Sequence, residues 1–124
     1  MALTRDDLIT QARANLNIIT RDQVQPLISG GATLLDIREA GEFNMGHLPG
    51  AVHIPRGLLE FMVGNHPALQ DPNKALVVYC KNGGRSTLAA DLLQRMGFEN
   101  ITMLEQGFDG WSEAKNEIEI PTKQ

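Results

Sequence analysis

Ala75-Leu-Val-Val-Tyr-Cys80-Lys-Asn-Gly-Gly-Arg85-Ser-Thr-Leu-Ala-Ala-Asp-Leu-Leu-Gln-Arg-Met96-Gly97 is the stretch whose reading decides the fold. Ala75 to Tyr79 is short, apolar and rich in β-branched residues, which predicts a buried strand. Leu88, Ala89, Leu92, Leu93 and Met96 recur at helical spacing, and Gly97 follows as a C′ stop. Between strand and helix lies a loop, Cys80 to Arg85, that holds the single cysteine of the chain.

Strand, glycine-containing loop and helix together make an anion site. Gly83 and Gly84 allow positive φ, so successive N–H groups can turn inward. Ser86 or Thr87 is the expected cap of the following helix, whose free N–H groups add partial positive charge. A thiol at the mouth of such a cradle, with Lys81 and Arg85 nearby, is expected to ionise readily and to act as a nucleophile toward an anionic substrate. The competing reading is a buried structural thiol, since free cysteines commonly pack as small hydrophobes. A polar, basic, Gly-Gly loop is a poor place for one, and the functional reading is preferred.

Working outward, 124 residues suit one domain with its own core. With 42% apolar and 21% charged residues the chain is globular. A net charge of −4 argues against nucleic acid or an anionic membrane as partner. One cysteine excludes an intramolecular disulfide and a multi-cysteine metal site, so no metal is expected. The first residues contain no apolar leader and no run spans a bilayer, which predicts a cytoplasmic protein whose thiol stays reduced.

The remaining elements alternate. Thr4 is the expected cap of an N-terminal helix within residues 1–16, treated as an extension, and residues 17–124 form the domain. Asn17–Thr20 and Thr33–Ile37 are strand candidates, joined by a helix from Arg21 to Ser29 in which Pro26 must lie in the first turns or bend the helix. Asp36 to Glu42 is polar and follows a strand end, the edge where ligand sites collect in open α/β sheets. There Asp36 and Arg38 could pair to brace the neighbouring loop. His47 lies in a Gly/Pro turn before a short strand ending at Pro55. It could serve as a base, but no orienting group stands beside it in sequence, so a structural role is favoured. Arg56–Val63 predicts a short helix, 64–74 a connecting loop, and Ile101–Leu104 the last strand. A final helix follows, with Asp109 as its expected cap and Trp111 in the core. The whole is read as α/β: a central five-stranded, mainly parallel sheet with helices on both faces.

Four stretches together resemble a known family: Leu34-Leu-Asp-Ile-Arg38-Glu-Ala-Gly-Glu42-Phe43, Gly46-His47-Leu-Pro-Gly50-Ala-Val-His-Ile-Pro55, Cys80-Lys-Asn-Gly-Gly-Arg85-Ser86 and Gly107-Phe-Asp-Gly-Trp111. In order and spacing, from about Ile18 to Trp111, they are similar to the single-domain rhodaneses, a family named for thiosulfate:cyanide sulfurtransferases. The resemblance implies that Cys80 takes sulfur from thiosulfate or a similar small anionic donor and carries it as a persulfide. It then implies transfer to cyanide, a cellular thiol or a carrier protein, with no cofactor. The loop residues Lys81, Asn82, Gly83, Gly84, Arg85 and Ser86 would hold the anion, and Asp36, Arg38 and His47 would support them. Two alternatives stand beside this. The first is non-catalytic: some relatives lack the cysteine and act only as binding modules, which Cys80 argues against here, and a sulfur relay tied to one partner stays open. Cysteine phosphatases and arsenate reductases use a related cradle, but their Cys-to-Arg loop is one residue longer than the four residues between Cys80 and Arg85.

Overall fold

The computed structural model describes residues 2–121. Five strands form one sheet: β1 Asn17–Ile19, β2 Thr33–Asp36, β3 Val52–His53, β4 Leu76–Tyr79 and β5 Ile101–Leu104. Their order is β1-β5-β4-β2-β3, and every pairing is parallel. The helices are α1 Arg5–Arg13, α2 Val24–Ser29, α3 Ala40–Asn44, α4 Leu59–Met62, α5 Gly84–Arg95 and α6 Gly107–Glu113. Among the described residues no helix is long and apolar enough to cross a membrane.

Strand parity sorts the core into two layers. Leu35, Leu76, Val78, Ile101 and Met103 point to one face, where they meet Leu59, Val63, Ala89, Ala90 and Leu93. Leu34, Val77, Tyr79 and Leu104 point to the other, against Val24, Leu48 and Trp111. β4 is buried along its whole length, as a central parallel strand must be. Cys80 shares the parity of Leu76 and Val78 and so turns toward the α5 face.

The order also fixes where a site can form. From β2 the chain moves outward to β3, and after β4 it moves the other way to β5. The strand order therefore reverses between β2 and β4. Their carboxyl ends part above Asp36 and Tyr79, which are register partners, and the crevice opens there.

Most element expectations hold, with three corrections at boundaries. The cap of α5 is Gly83 rather than Ser86 or Thr87, so the loop closes after four residues and Gly84 is already helical. Segment 64–74 is not one open loop, since Val63–Asn65 and Pro67–Leu69 form 3₁₀ turns. α6 is capped by Gln106, leaving Asp109 inside its first turn. Thr4 caps α1 as expected, in a reciprocal box with Asp7.

Tyr79 ties β4 to the turn before β3 within the second layer. Its hydroxyl accepts the Leu48 N–H at 3.0 Å. Burial first, and then the neighbouring Asp36 charge, hold that hydroxyl protonated far above its ordinary range. Tyr79→Phe should therefore strand a buried amide and cost about 1–3 kcal/mol. A denaturant midpoint unchanged from wild type would contradict this placement.

Candidate active site

At the end of β4 the chain must leave the sheet and start α5 within four residues. Gly83 makes that possible. Its φ is +103°, and a Cβ there would lie 2.6 Å from the Glu105 carbonyl oxygen. The Gly83 carbonyl then accepts the Thr87 N–H at 3.1 Å, the Thr87 hydroxyl at 2.7 Å and the Ser86 hydroxyl at 3.2 Å. This is why the two hydroxyl residues sit inside the first turn instead of capping it.

The turn wraps around one atom. The Gly83 N–H donates to Cys80 Sγ at 3.1 Å and the Ser86 N–H at 3.3 Å, while Ser86 Oγ lies 3.3 Å away. Sγ thus sits at the amino end of a twelve-residue helix, the favourable end for negative charge. Cys80 is fully buried, so the thiol lies beneath the loop and not at an open mouth. Its strand parity is the reason.

The outer side of the loop is fastened to α6. Cys80 O accepts the Phe108 N–H at 2.8 Å and Lys81 O accepts the Asp109 N–H at 3.0 Å. Gly107, with φ +56°, makes this approach possible, because a Cβ would overlap the Cys80 carbonyl oxygen.

The expected cations are present but already engaged. Arg85 holds Glu42 with both arms, Nη1–Oε1 2.8 Å and Nη2–Oε2 3.0 Å. The Glu42 carboxylate also accepts the Glu39 N–H at 3.1 Å. Lys81 Nζ lies 2.8 and 3.1 Å from the two oxygens of Asp109. Neither cation projects freely toward a ligand. Asn82 is exposed on the loop.

Behind the loop, Asp36 and Arg38 form the pair anticipated from sequence, but it is buried. Arg38 donates from Nη2 to Asp36 Oδ2 at 2.8 Å and on to the Gly46 carbonyl at 2.6 Å. Its guanidinium lies 4.3 Å from the Phe108 ring centroid. Removing one member of such a pair typically costs about 3–5 kcal/mol, because the other charge stays buried. His47 is also buried. Its Nδ1 is 2.8 Å from the Leu48 carbonyl, its ring stacks on Phe43 at 3.9 Å, and its backbone pairs with Glu119. Among the described residues no hydrogen bond joins it to Cys80.

Glu42, Asp109 and Glu105 were given no site role from sequence. Each lies far along the chain from its partner: Glu105 takes Arg13 of α1 through two bonds of 2.9 Å, and Glu42 is 43 positions from Arg85. Two open clefts of about 350 Å³ each flank the loop. One runs between α1 and the loop, lined by Ile9, Asn82, Arg85 and Leu88, and the other is lined by Arg38, Met45, Lys81 and Phe108.

Comparison with known proteins places the chain among relatives by sequence and fold. Residues 20–114 match the family model described as Rhodanese-like domain. A thiosulfate sulfurtransferase, GlpE, from Pseudomonas savastanoi pv. phaseolicola is 34% identical over 93 residues, 75% of this chain and 84% of the relative. A protein from Rhodopseudomonas palustris described as a possible tyrosine phosphatase superposes with a TM-score of 0.87 at 30% identity, covering 96% of both chains. The polysulfide-sulfur transferase homodimer of Wolinella succinogenes does so at 0.76 and 28% identity, covering 92% of this chain and 85% of the other.

The Glu42–Arg85 contact carries a pH signature. Hydrogen bonding from Arg85 is the main cause that lowers the Glu42 carboxyl from 4.5 to about 2. As pH falls, the unfolded chain takes up this proton first, so the stabilisation is complete above about 4.5 and is lost toward about 2. Allowing for its partial exposure, the effect is on the order of 1 kcal/mol. The stability gap between wild type and Glu42→Gln should shrink across that window in denaturant titrations. A gap independent of pH would contradict the ion pair.

Proposed function

The chain belongs to the rhodanese-like domain family, and from that premise we propose that it is a sulfurtransferase working through a persulfide on Cys80. The observation that carries the proposal is the pair of loop amides, Gly83 and Ser86, aimed at Sγ from 3.1 and 3.3 Å. Donors fixed on one sulfur before reaction suit an anion that forms there, with no reorganisation left to do.

In the first half-reaction the Cys80 thiolate attacks the outer sulfur of thiosulfate or a similar donor. A new S–S bond forms, the donor's S–S bond breaks, and sulfite leaves with the bonding pair. The charge on the thiolate passes to the outer sulfur of the persulfide. In the second half, cyanide, a thiol or a sulfur carrier protein attacks that outer sulfur, and the Cys80 thiolate is regenerated. No cofactor or metal enters either step. Ser86 Oγ, 3.3 Å from Sγ, accepts from the thiol and would contact the anion only by turning its proton from the Gly83 carbonyl to sulfur. The Asp36–Arg38 pair and His47 support the loop from behind without touching the reacting atoms.

Phosphate transfer is the rival reading, given the phosphatase description of the Rhodopseudomonas neighbour. Three features speak against it here. The loop has four residues between Cys80 and Arg85, both guanidinium arms of Arg85 are held by Glu42, and the nearby aspartates Asp36 and Asp109 are both tied into ion pairs. An aspartate acting as general acid would need to hold and release a proton.

Cys80→Ser should lower thiocyanate production from thiosulfate and cyanide by at least about a thousandfold, as loss of a nucleophile does. Its melting temperature should stay close to wild type, since serine can keep the loop contacts. Turnover near the wild-type level, or efficient hydrolysis of p-nitrophenyl phosphate by the wild type, would refute the proposal.

A further inference from the structure

The charges around the Cys80 loop follow a pattern that the family resemblance did not suggest. Among the described residues, Arg85 is matched by Glu42, Lys81 by Asp109, and Arg38 by Asp36. The carboxylate at Arg85 is not a loosely held surface group. Glu42 is fixed by both guanidinium arms and by the Glu39 amide, and it stays ionised down to about pH 2. It forms part of one flanking cleft while Arg85 forms part of the other, so the pair stands as the ridge between the two approaches. Asp109 and Lys81 lie together on the second cleft.

Bound in this way, Arg85 and Lys81 contribute little net attraction to an incoming sulfonate. What remains favourable is local: two amides and a helix terminus, all directed at Sγ. Thiosulfate presents two negative charges, one of them on a sulfonate that would sit among carboxylates. A persulfide R–S–SH presents its transferable sulfur with one charge at most and an uncharged stem. We propose that Glu42, with Asp109 in a lesser role, is a specificity-determining residue that tunes the site toward low-molecular-weight persulfides and away from dianionic thiosulfate. This rests on the sulfur-transfer function proposed above.

The reaction balances without a further reactant. The Cys80 thiolate attacks the terminal sulfur of R–S–SH, the donor's S–S bond breaks, and R–S⁻ departs. Enzyme persulfide and free thiol share the one proton between them.

The test uses the full chain with two donors: thiosulfate, and the persulfide of N-acetylcysteine methyl ester, whose stem carries no charge. Wild type, Glu42→Gln and Asp109→Asn are compared by kcat/KM for each donor over a range of salt concentrations, with cyanide as acceptor. Wild type should favour the persulfide. Glu42→Gln frees Arg85, so the thiosulfate-to-persulfide ratio of kcat/KM should rise about tenfold, the scale of altering one charge at a partly solvated site. Thiosulfate turnover should also become steeply salt-dependent. Asp109→Asn, at a more exposed pair, should move the ratio the same way by less. If Glu42 is only a brace, both donors slow together and neither ratio nor salt slope changes; that result overturns the inference alone. Thiosulfate preferred by the wild type also overturns it. If Glu42→Gln fails to fold, an unshifted ratio in Asp109→Asn decides against it. No sulfur on Cys80 with either donor, by intact mass, overturns the inference together with the function beneath it.

Discussion

Two carbonyl groups, those of Cys80 and Lys81, accept the first amides of α6, and the Gly107 backbone packs against them too closely to admit a side chain. This contact joins the end of β4 to the chain leaving β5. On the inner side, Gly83 packs against the Glu105 carbonyl under a similar constraint. Held on both sides, the loop has one way to turn, and that turn directs the Gly83 and Ser86 amides onto Sγ. The carbonyls are satisfied from outside, which leaves the amides free to face in. Substituting either glycine would disturb the site without touching a reacting atom.

The same fastening explains how charge is arranged. α6 brings Asp109 to Lys81 and Phe108 to the face of Arg38. α3, which follows β2 across the switch point, brings Glu42 to Arg85. Arg85 and Lys81 therefore each meet a carboxylate supplied by another element, while Arg38 takes its own from the end of β2. The ion pairs position the loop, while the amides address the sulfur. A site built on amides needs little help from side-chain charge, since partial charges that are already oriented act strongly at short range.

Much of this was legible in the chain. β4 and α5 stood out because an apolar β-branched run meets a helical repeat, and Cys80 lies at their junction. Asp36 and Arg38 could be paired from sequence because they are two positions apart at a strand end. The rest was hidden for physical reasons. The burial of Cys80 follows from strand parity, which a polar loop sequence obscures. The cap was misassigned because hydroxyl side chains usually cap helices, whereas here a left-handed glycine does so and the hydroxyls bond back to its carbonyl. The partners of Arg85, Lys81 and Arg13 lie too far along the chain for periodicity to reveal.

The central claim is that one sulfur atom, bound to Cys80, fits beneath the loop amides and is held there as an anion. Intact mass spectrometry of the wild-type protein after exposure to a sulfane-sulfur donor tests this most directly. The account predicts one added sulfur per chain, localised to the peptide containing Cys80 and removed by cyanide or a thiol. A protein whose mass does not change, or that gains sulfur which cyanide and thiols cannot remove, would contradict it.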